Sequence, residues 1–331
     1  MNILKIIVTV FLYTSLFPSC NRNKTEVDPL PSWNEGKNKT DIIDYVNTVT
    51  NAKSIHYISI PNRIATFDND GTLWSEQPLY FQLFFAFDRI KEMAPQHPEW
   101  KKIQPYKAIL ENNLAEFLKE GEEGILKIIL KSHTGNRTDA FEKSVKKWLA
   151  TAKHPTKNVA YTALVYQPML ELISYLQQHH FKTYIVSGGG TEFMRPWVET
   201  VYGIPKEQVI GSTVKTTYEY NKGKPIIKRK ADIEFVNDKK GKPEAIHKFI
   251  GRKPVFAVGN SDGDLEMLRW TASNAKKPFM LYIHHTDETR EWAYDRASHI
   301  GKFDLGLDEA LEKGWKIVDM KDDWKKIYPN E

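Results

Sequence analysis

Cysteine is almost missing from this chain: Cys20 is the only one in 331 residues. No intramolecular disulfide can therefore brace the fold, and that one thiol needs another explanation. Nor is there an apolar run that could span a bilayer, since the stretch from Ile6 to Phe17 is too short and ends abruptly. Charge of one sign is nowhere concentrated. The formal net charge of +5 is spread along the sequence, and the basic spots Lys228 to Lys230 and Lys239 to Lys242 lie beside acidic residues. They read as solvated faces rather than a nucleic-acid groove. Internal repeats are absent, and low complexity is confined to one polar stretch near the N-terminus. What remains, 41% hydrophobic and 27% charged residues, is the composition of an ordinary folded protein of one large domain or two.

Lys5 is the only charge before the apolar run, and Cys20 closes it in the order Leu16, Phe17, Pro18, Ser19, Cys20. This resembles a bacterial lipobox in a loose form, with bulky Phe17 and Pro18 where small residues are usual. The resemblance implies an export signal over residues 1–20, acylation of Cys20, and a membrane-anchored lipoprotein facing the periplasm. A signal that is simply cleaved is the alternative. Residues 21–40 are polar, with Pro29, Pro31 and Gly36, and are expected to form a flexible tether. The folded body is expected from Asp41.

Within that body, apolar spacing predicts a first helix from Asp41 to Asn51 and a buried strand from Ile64 to Phe67. Residues 78–153 carry helical spacing with hardly any strand signal, which predicts a separate helical cap. Strands and helices then alternate: helix Met169 to Gln178, strand Lys182 to Val186, helix Glu192 to Tyr202, strand Gln208 to Ile210. A hairpin follows from Thr213 to Lys228 with its turn at Asn221 to Gly223. Helix Pro243 to Ile250, strand Val255 to Val258, helix Leu265 to Thr271, strand Phe279 to Ile283 and helix Glu288 to Ala297 complete the series. Such alternation predicts an α/β fold: a Rossmann-like parallel sheet covered by helices on both faces, its core made of residues 41–77 and 154–331.

Three segments place polar, glycine-containing sequence directly after an apolar strand: Asp68 to Thr72, Ser187 to Gly190, and Gly259 to Asp264. In a parallel sheet such loops converge beyond the carboxyl ends of the strands. Asp68 and Asp70, two residues apart at a strand end, call for a cation, and an oxygen-rich site suits Mg²⁺. Asp68-Asn69-Asp70-Gly71-Thr72 resembles the first motif of the haloacid dehalogenase superfamily. Ser187 is similar to its second, Lys242 is placed like its third, and Gly259 to Asp264 resembles its acidic fourth, all in the family's order.

The resemblance implies a Mg²⁺-dependent phosphatase in which Asp68 is the nucleophile, Asp70 the general acid and base, and Lys242 the charge that steadies both Asp68 and the phosphoryl group. Ser187 and Gly188 would bind phosphate, with Thr72 and Glu76 also on the substrate side. Asp70 favours phosphate transfer over dehalogenation, because a halide leaving group needs no acid two residues after the nucleophile. Asn260 stands where many relatives carry an aspartate. The direct metal ligand therefore lies open among Asn260, Asp262 and Asp264, with Asp68, the Asp70 carbonyl and Asn260 favoured and Asp264 behind them.

The segment 78–153 has the position of a C1 cap, and the short hairpin insertion is as in phosphoserine phosphatases, which implies a small phosphomonoester, phosphoserine-like or phosphocholine-like. Glu76 resembles the cap-side glutamate that contacts phosphoserine there, one residue closer to the nucleophile. The cap aromatics Trp74, Tyr80, Phe81, Phe84, Phe85, Trp100 and Tyr106 could box a quaternary ammonium, but their helical spacing reads as core. Of the further polar residues, Arg195 is the best placed to face substrate, ahead of His133, Arg137, His284 and His285. Two other functions fit the same motifs: a phospho-ligand-binding lipoprotein without turnover, which Asn260 would favour, and a phosphotransferase or mutase, which would pass phosphate to added alcohols.

Overall fold

The computed structural model describes residues 27–331; the signal segment, Cys20 and the first part of the expected tether lie outside them. Its centre is β1 (Ile64–Phe67), four residues buried without alternation, as a strand covered on both faces must be. On one side β1 pairs in parallel with β2 (Lys182–Gly190), and β2 with β3 (Val209–Asn221). β4 (Lys224–Phe235) closes that edge antiparallel to β3. On the other side β1 pairs with β5 (Phe256–Gly259) and β5 with β6 (Phe279–Thr286), both in parallel. Against β6 lie the two-residue β7 (Ala293–Tyr294), antiparallel, and β8 (Lys316–Asp319), parallel. The α/β reading holds: a parallel-dominated sheet with helices on both faces.

Apolar stripes explain which helices cover which face. Helices Lys37–Thr50 and Gln167–Gln178 bury Ile42, Val46, Leu172 and Ile173 against one side of the sheet. Leu265–Ala272 and Leu305–Lys313 bury Leu268 and Ala310 on the other. The expected cap consists of Phe81–Met93, several short turns, Gly121–His133 and Thr138–Thr151. It has its own cluster around Leu83, Phe87, Phe117 and Ile128.

Three expectations need correction. Residues 28–40 are not a tether. Leu30 and Trp33 are buried, Trp33 meets Trp324 edge-on at 5.9 Å, its indole N–H donates to the Pro168 carbonyl, and the first helix starts at Lys37. Two apolar residues without periodicity sufficed, because the C-terminal segment supplies their pocket. Secondly, the strand at Gln208 and the hairpin after it are continuous: β3 leaves the parallel sheet and runs straight into the hairpin.

Thirdly, Glu288 to Ala297 is not a helix. One helical turn forms, with Glu291 N–H on the Asp287 carbonyl. The buried Glu291 carboxylate then takes Tyr166 Oη at 2.8 Å, pairs with His285 Nδ1 at 3.1 Å and accepts from Trp292 N–H at 2.8 Å. Those bonds turn the chain into β7 instead of a second helical turn.

The hairpin does more than close an edge. Its turn, Lys222 (φ 48°) and Gly223 (φ 78°) between the paired Asn221 and Lys224, has both central residues left-handed, the two-residue geometry that matches strand twist. Its return strand reaches the cap: Gly135 N–H donates to the Arg229 carbonyl at 3.1 Å and Arg229 N–H to the Asn136 carbonyl at 3.0 Å.

Candidate active site

Strand ends make the floor. β1 hands Asp68 to the crevice, its N–H donating to the Val258 carbonyl of β5 at 3.0 Å. Lys242, in the short helix Gly241–Ala245, is fully buried, and its Nζ lies 2.6 Å from both Asp68 Oδ1 and Asp264 Oδ1. The second Asp264 oxygen accepts from the N–H groups of Asn260 (2.9 Å) and Ser261 (3.1 Å), and with the Ser261 side chain forms a capping box. Asp264 is thus occupied in holding Lys242 and the turn after β5.

Opposite, a register shift between Val186 and Gly190 takes Ser187 to Gly189 out of the ladder with β3. Gly188, Gly189 and Gly190 line a cavity of about 520 Å³ together with Asp68, Asp70 and Lys242. Ser187 is buried just beneath, its Oγ accepting from Gly189 N–H at 3.0 Å. Asn237 braces the loop from behind, donating to the Ser187 and Ile210 carbonyls. From the cap, Gln82 Oε1 accepts from Gly190 N–H at 2.7 Å, while its amide nitrogen meets His133 Nε2 at 3.1 Å. Burial and the Arg229 charge hold His133 well below the usual imidazole pKa, so the ring is neutral and accepts from Gln82.

Glu76 and Asn260 complete the crevice on the motif-one side. Glu76 Oε1 takes Asn260 Nδ2 at 2.7 Å and Tyr294 Oη at 2.8 Å. A carboxylate only accepts, which orients the amide: the Asn260 oxygen points the other way and receives the Thr72 hydroxyl at 3.1 Å. Burial, aided by the Asp264 charge and opposed by Lys242, pushes the Asp68 carboxyl well above its ordinary pKa. Burial, opposed by the Tyr294 hydrogen bond, does the same to Glu76. Asp70 is raised to about 6, again by burial, with the Trp74 indole N–H on its Oδ1 (2.8 Å) working the other way. Lys242 shifts upward: burial pulls it down, but the charges of Asp264 and Asp68 outweigh that.

Four carboxylates thus share one ammonium in a buried space. Among the described residues no three His, Cys, Asp or Glu side chains form a ready cage. Asp68, the Asp70 carbonyl and Asn260 Oδ1, which already takes the Thr72 hydroxyl, would supply a mixed oxygen set, with Glu76 adjoining. A hard divalent cation that keeps several waters fits that set and its surplus of negative charge.

Of the expected residues, Asp68, Asp70, Glu76, Gly188 and Lys242 come together on the cavity wall, with Ser187 and Asn260 directly behind. Thr72 does not line the cavity; it is buried and gives its hydroxyl to Asn260. Asp264 holds Lys242 and the turn after β5, and Asp262 Oδ1 accepts from the N–H groups of Asp304 and Gly306, ahead of helix Leu305–Lys313. Arg195 lies at the cavity rim, but its guanidinium donates to the Lys206 and Val209 carbonyls. His285 lies under the motif-one turn, bonded to the Gly71 carbonyl. Arg137 pairs with Asp139 and His284 with Asp295.

The aromatics are core, as their spacing implied. Trp74 stacks on Trp197 and Trp100 on Tyr106, and of the seven only Tyr80 lines the cavity. Gln82, Asn237 and Tyr294 had no signal in the sequence.

A family model described as haloacid dehalogenase-like hydrolase matches residues 65–269. No curated protein matches the chain in sequence. Among solved structures the chain is similar to a conserved functionally unknown protein from Anaerococcus prevotii at 14% identity, covering 85% of this chain and 91% of that one with a TM-score of 0.48. It is also similar to a phosphoserine phosphohydrolase-like protein from Francisella tularensis, at 16% identity over 68% and 89% with a TM-score of 0.37. A substrate-bound phosphoserine phosphatase matches at 20% identity over 76% and 98%, with a TM-score of 0.36.

Proposed function

The chain belongs to the haloacid dehalogenase-like hydrolases, and from that premise we propose that it is a Mg²⁺-dependent phosphatase of phosphate monoesters working through a phospho-aspartate on Asp68. The observation that carries this reading is the buried bridge in which Lys242 joins Asp68 and Asp264, with Asp70 and the Gly188–Gly190 loop on the same cavity.

Asp68 attacks phosphorus through the oxygen that Lys242 leaves free, dividing one slow displacement into two. Asp70, with a pKa of about 6, is poised to give a proton to the departing alkoxide and to take one from the water that follows. The Trp74 indole fixes which Asp70 oxygen can act. Lys242 and Ser187 Oγ–H receive the phosphoryl oxygens, while the Gly189 and Gly190 N–H groups hold Ser187 Oγ and Gln82 in place around them. The Mg²⁺ held by Asp68, the Asp70 carbonyl and Asn260 would neutralise charge on the phosphoryl group. Glu76, bonded to the Asn260 amide, places beside it the carboxyl that an aspartate there would have carried.

The test is phosphate release from a panel of phosphomonoesters, with and without Mg²⁺, by the protein lacking residues 1–20 and by its Asp68→Asn variant. Magnesium-dependent turnover that Asp68→Asn abolishes is the expected result. Binding without turnover by the unaltered protein would instead make it a phospho-ligand-binding protein on this scaffold.

A further inference from the structure

The cavity changes character with distance from Asp68. Its floor is carboxylate, ammonium and backbone N–H; its walls above are mainly apolar, with Thr213 and Thr216 among them. Ile125, Leu126 and Ile129 form one stripe of helix Gly121–His133, spaced three and four residues apart, and all line the cavity. Facing them are Val214 and Ile233, directly paired across β3 and β4, with Leu83 from the cap's first helix. Leu126 keeps 42% of its surface exposed, although the helix has a core-facing side that could have taken it.

Charges at this level offer little to a polar substrate. Arg229 is buried and ion-paired with Glu192, and its guanidinium also covers the Phe141 ring. His133 is neutral and bonded to Gln82. Glu122 and Glu234 border the cavity too, but both are exposed to solvent, and Glu234 accepts from the Thr213 hydroxyl. Among the described residues the cavity carboxylates Asp68, Asp70, Glu76, Asp238 and Asp264, buried or half-buried, gather at the floor, and the buried guanidinium higher up, that of Arg229, is already paired with Glu192. At about 520 Å³ the space is that of a drug-sized ligand, well beyond a phosphoryl group with a serine attached.

Resting on the phosphatase reading, we infer that the substrate is a phosphate monoester of a largely apolar alcohol, whose hydrocarbon body lies between the Ile125–Ile129 stripe and the Val214–Ile233 pair. The apolar body displaces water from walls that a hydroxyl-rich or zwitterionic leaving group would leave wet. Phosphoserine is on this account a poor substrate.

The experiment is a homologous series of ethyl, butyl, hexyl and octyl phosphate with O-phosphoserine as comparator, in Mg²⁺. Turnover is measured on the protein lacking residues 1–20, and binding by calorimetry on its Asp68→Asn variant. We expect kcat/KM to rise with chain length by up to about fourfold per methylene, the transfer preference of a CH₂ written as a ratio. Binding should follow the same slope. Leu126→Gln, a change at a half-exposed site that folding tolerates, should lower the octyl-to-ethyl ratio about threefold or more.

Turnover that is flat or falling along the series, with phosphoserine preferred, overturns the inference and leaves the phosphatase standing. If no ester is hydrolysed, the phosphatase reading falls. The slope of binding then decides the inference by itself, and a flat one overturns it.

Discussion

Gly189 has no side chain to contribute, yet a Cβ there would lie 3.3 Å from Ser187 Oγ and 3.5 Å from Asp70 Oδ2, in the space the phosphoryl group is proposed to fill. Gly189→Val should therefore lower kcat/KM by roughly 10²-fold or more in a phosphate-release assay, run beside a melting curve because the new side chain also crowds Gln82 Oε1 at 3.3 Å. Asp70 supplies a second prediction at this scale. Its carboxyl is held to about pH 6 in the folded protein against an ordinary value of 3.8. The folded state thus keeps a proton that the unfolded chain has already released. That contribution to stability is complete below about pH 4 and is lost as pH rises through 6, a fall on the order of 3 kcal/mol. Urea titrations in EDTA from pH 4 to 7 should show it, and Asp70→Asn should flatten that part of the slope. Asp68, Asp70, Ser187, Lys242 and Asn260 were legible because each stands at the end of a strand or the start of a helix in a fixed order. Tyr294, Gln82 and Asn237 were not: Tyr294 reaches Glu76 across 218 positions of sequence, and a hydrogen bond between such segments leaves no local pattern.

Strands and helices were easiest to read where one periodicity ruled a whole segment. β1 has the limits its apolar run gave, and the turn of the hairpin follows from Asn221-Lys222-Gly223. The segment after β6 failed because its helical spacing was overruled by one buried carboxylate, Glu291, whose three partners bend the chain back on itself. The hairpin carries a prediction of its own. Gly223 is held at φ 78°, and a methyl group added there would find nothing within 4 Å. Gly223→Ala therefore meets no clash and incurs only the left-handed backbone cost, about 1 kcal/mol by chemical denaturation. A neutral result would mean that the hairpin turn contributes nothing to global stability.

Across the whole molecule, the two ends of the described chain are joined. Trp33 and Trp324 meet in the core, Asn34 N–H donates to the Asp323 carbonyl, and Lys325 N–H donates to the Ser32 carbonyl. Trp33→Ala should cost about 3–5 kcal/mol in denaturant titrations, the range for a large buried aromatic; a loss under about 1 kcal/mol would return this segment to the status of a tether. Opposite that seam, the bonds between Gly135, Asn136 and Arg229 tie two insertions that leave the core at different points of the sequence. Neither can swing away alone without breaking main-chain hydrogen bonds. The cap and the hairpin, which both line the cavity above Asp68, are therefore one joined wall, and opening it by moving either alone would break those bonds.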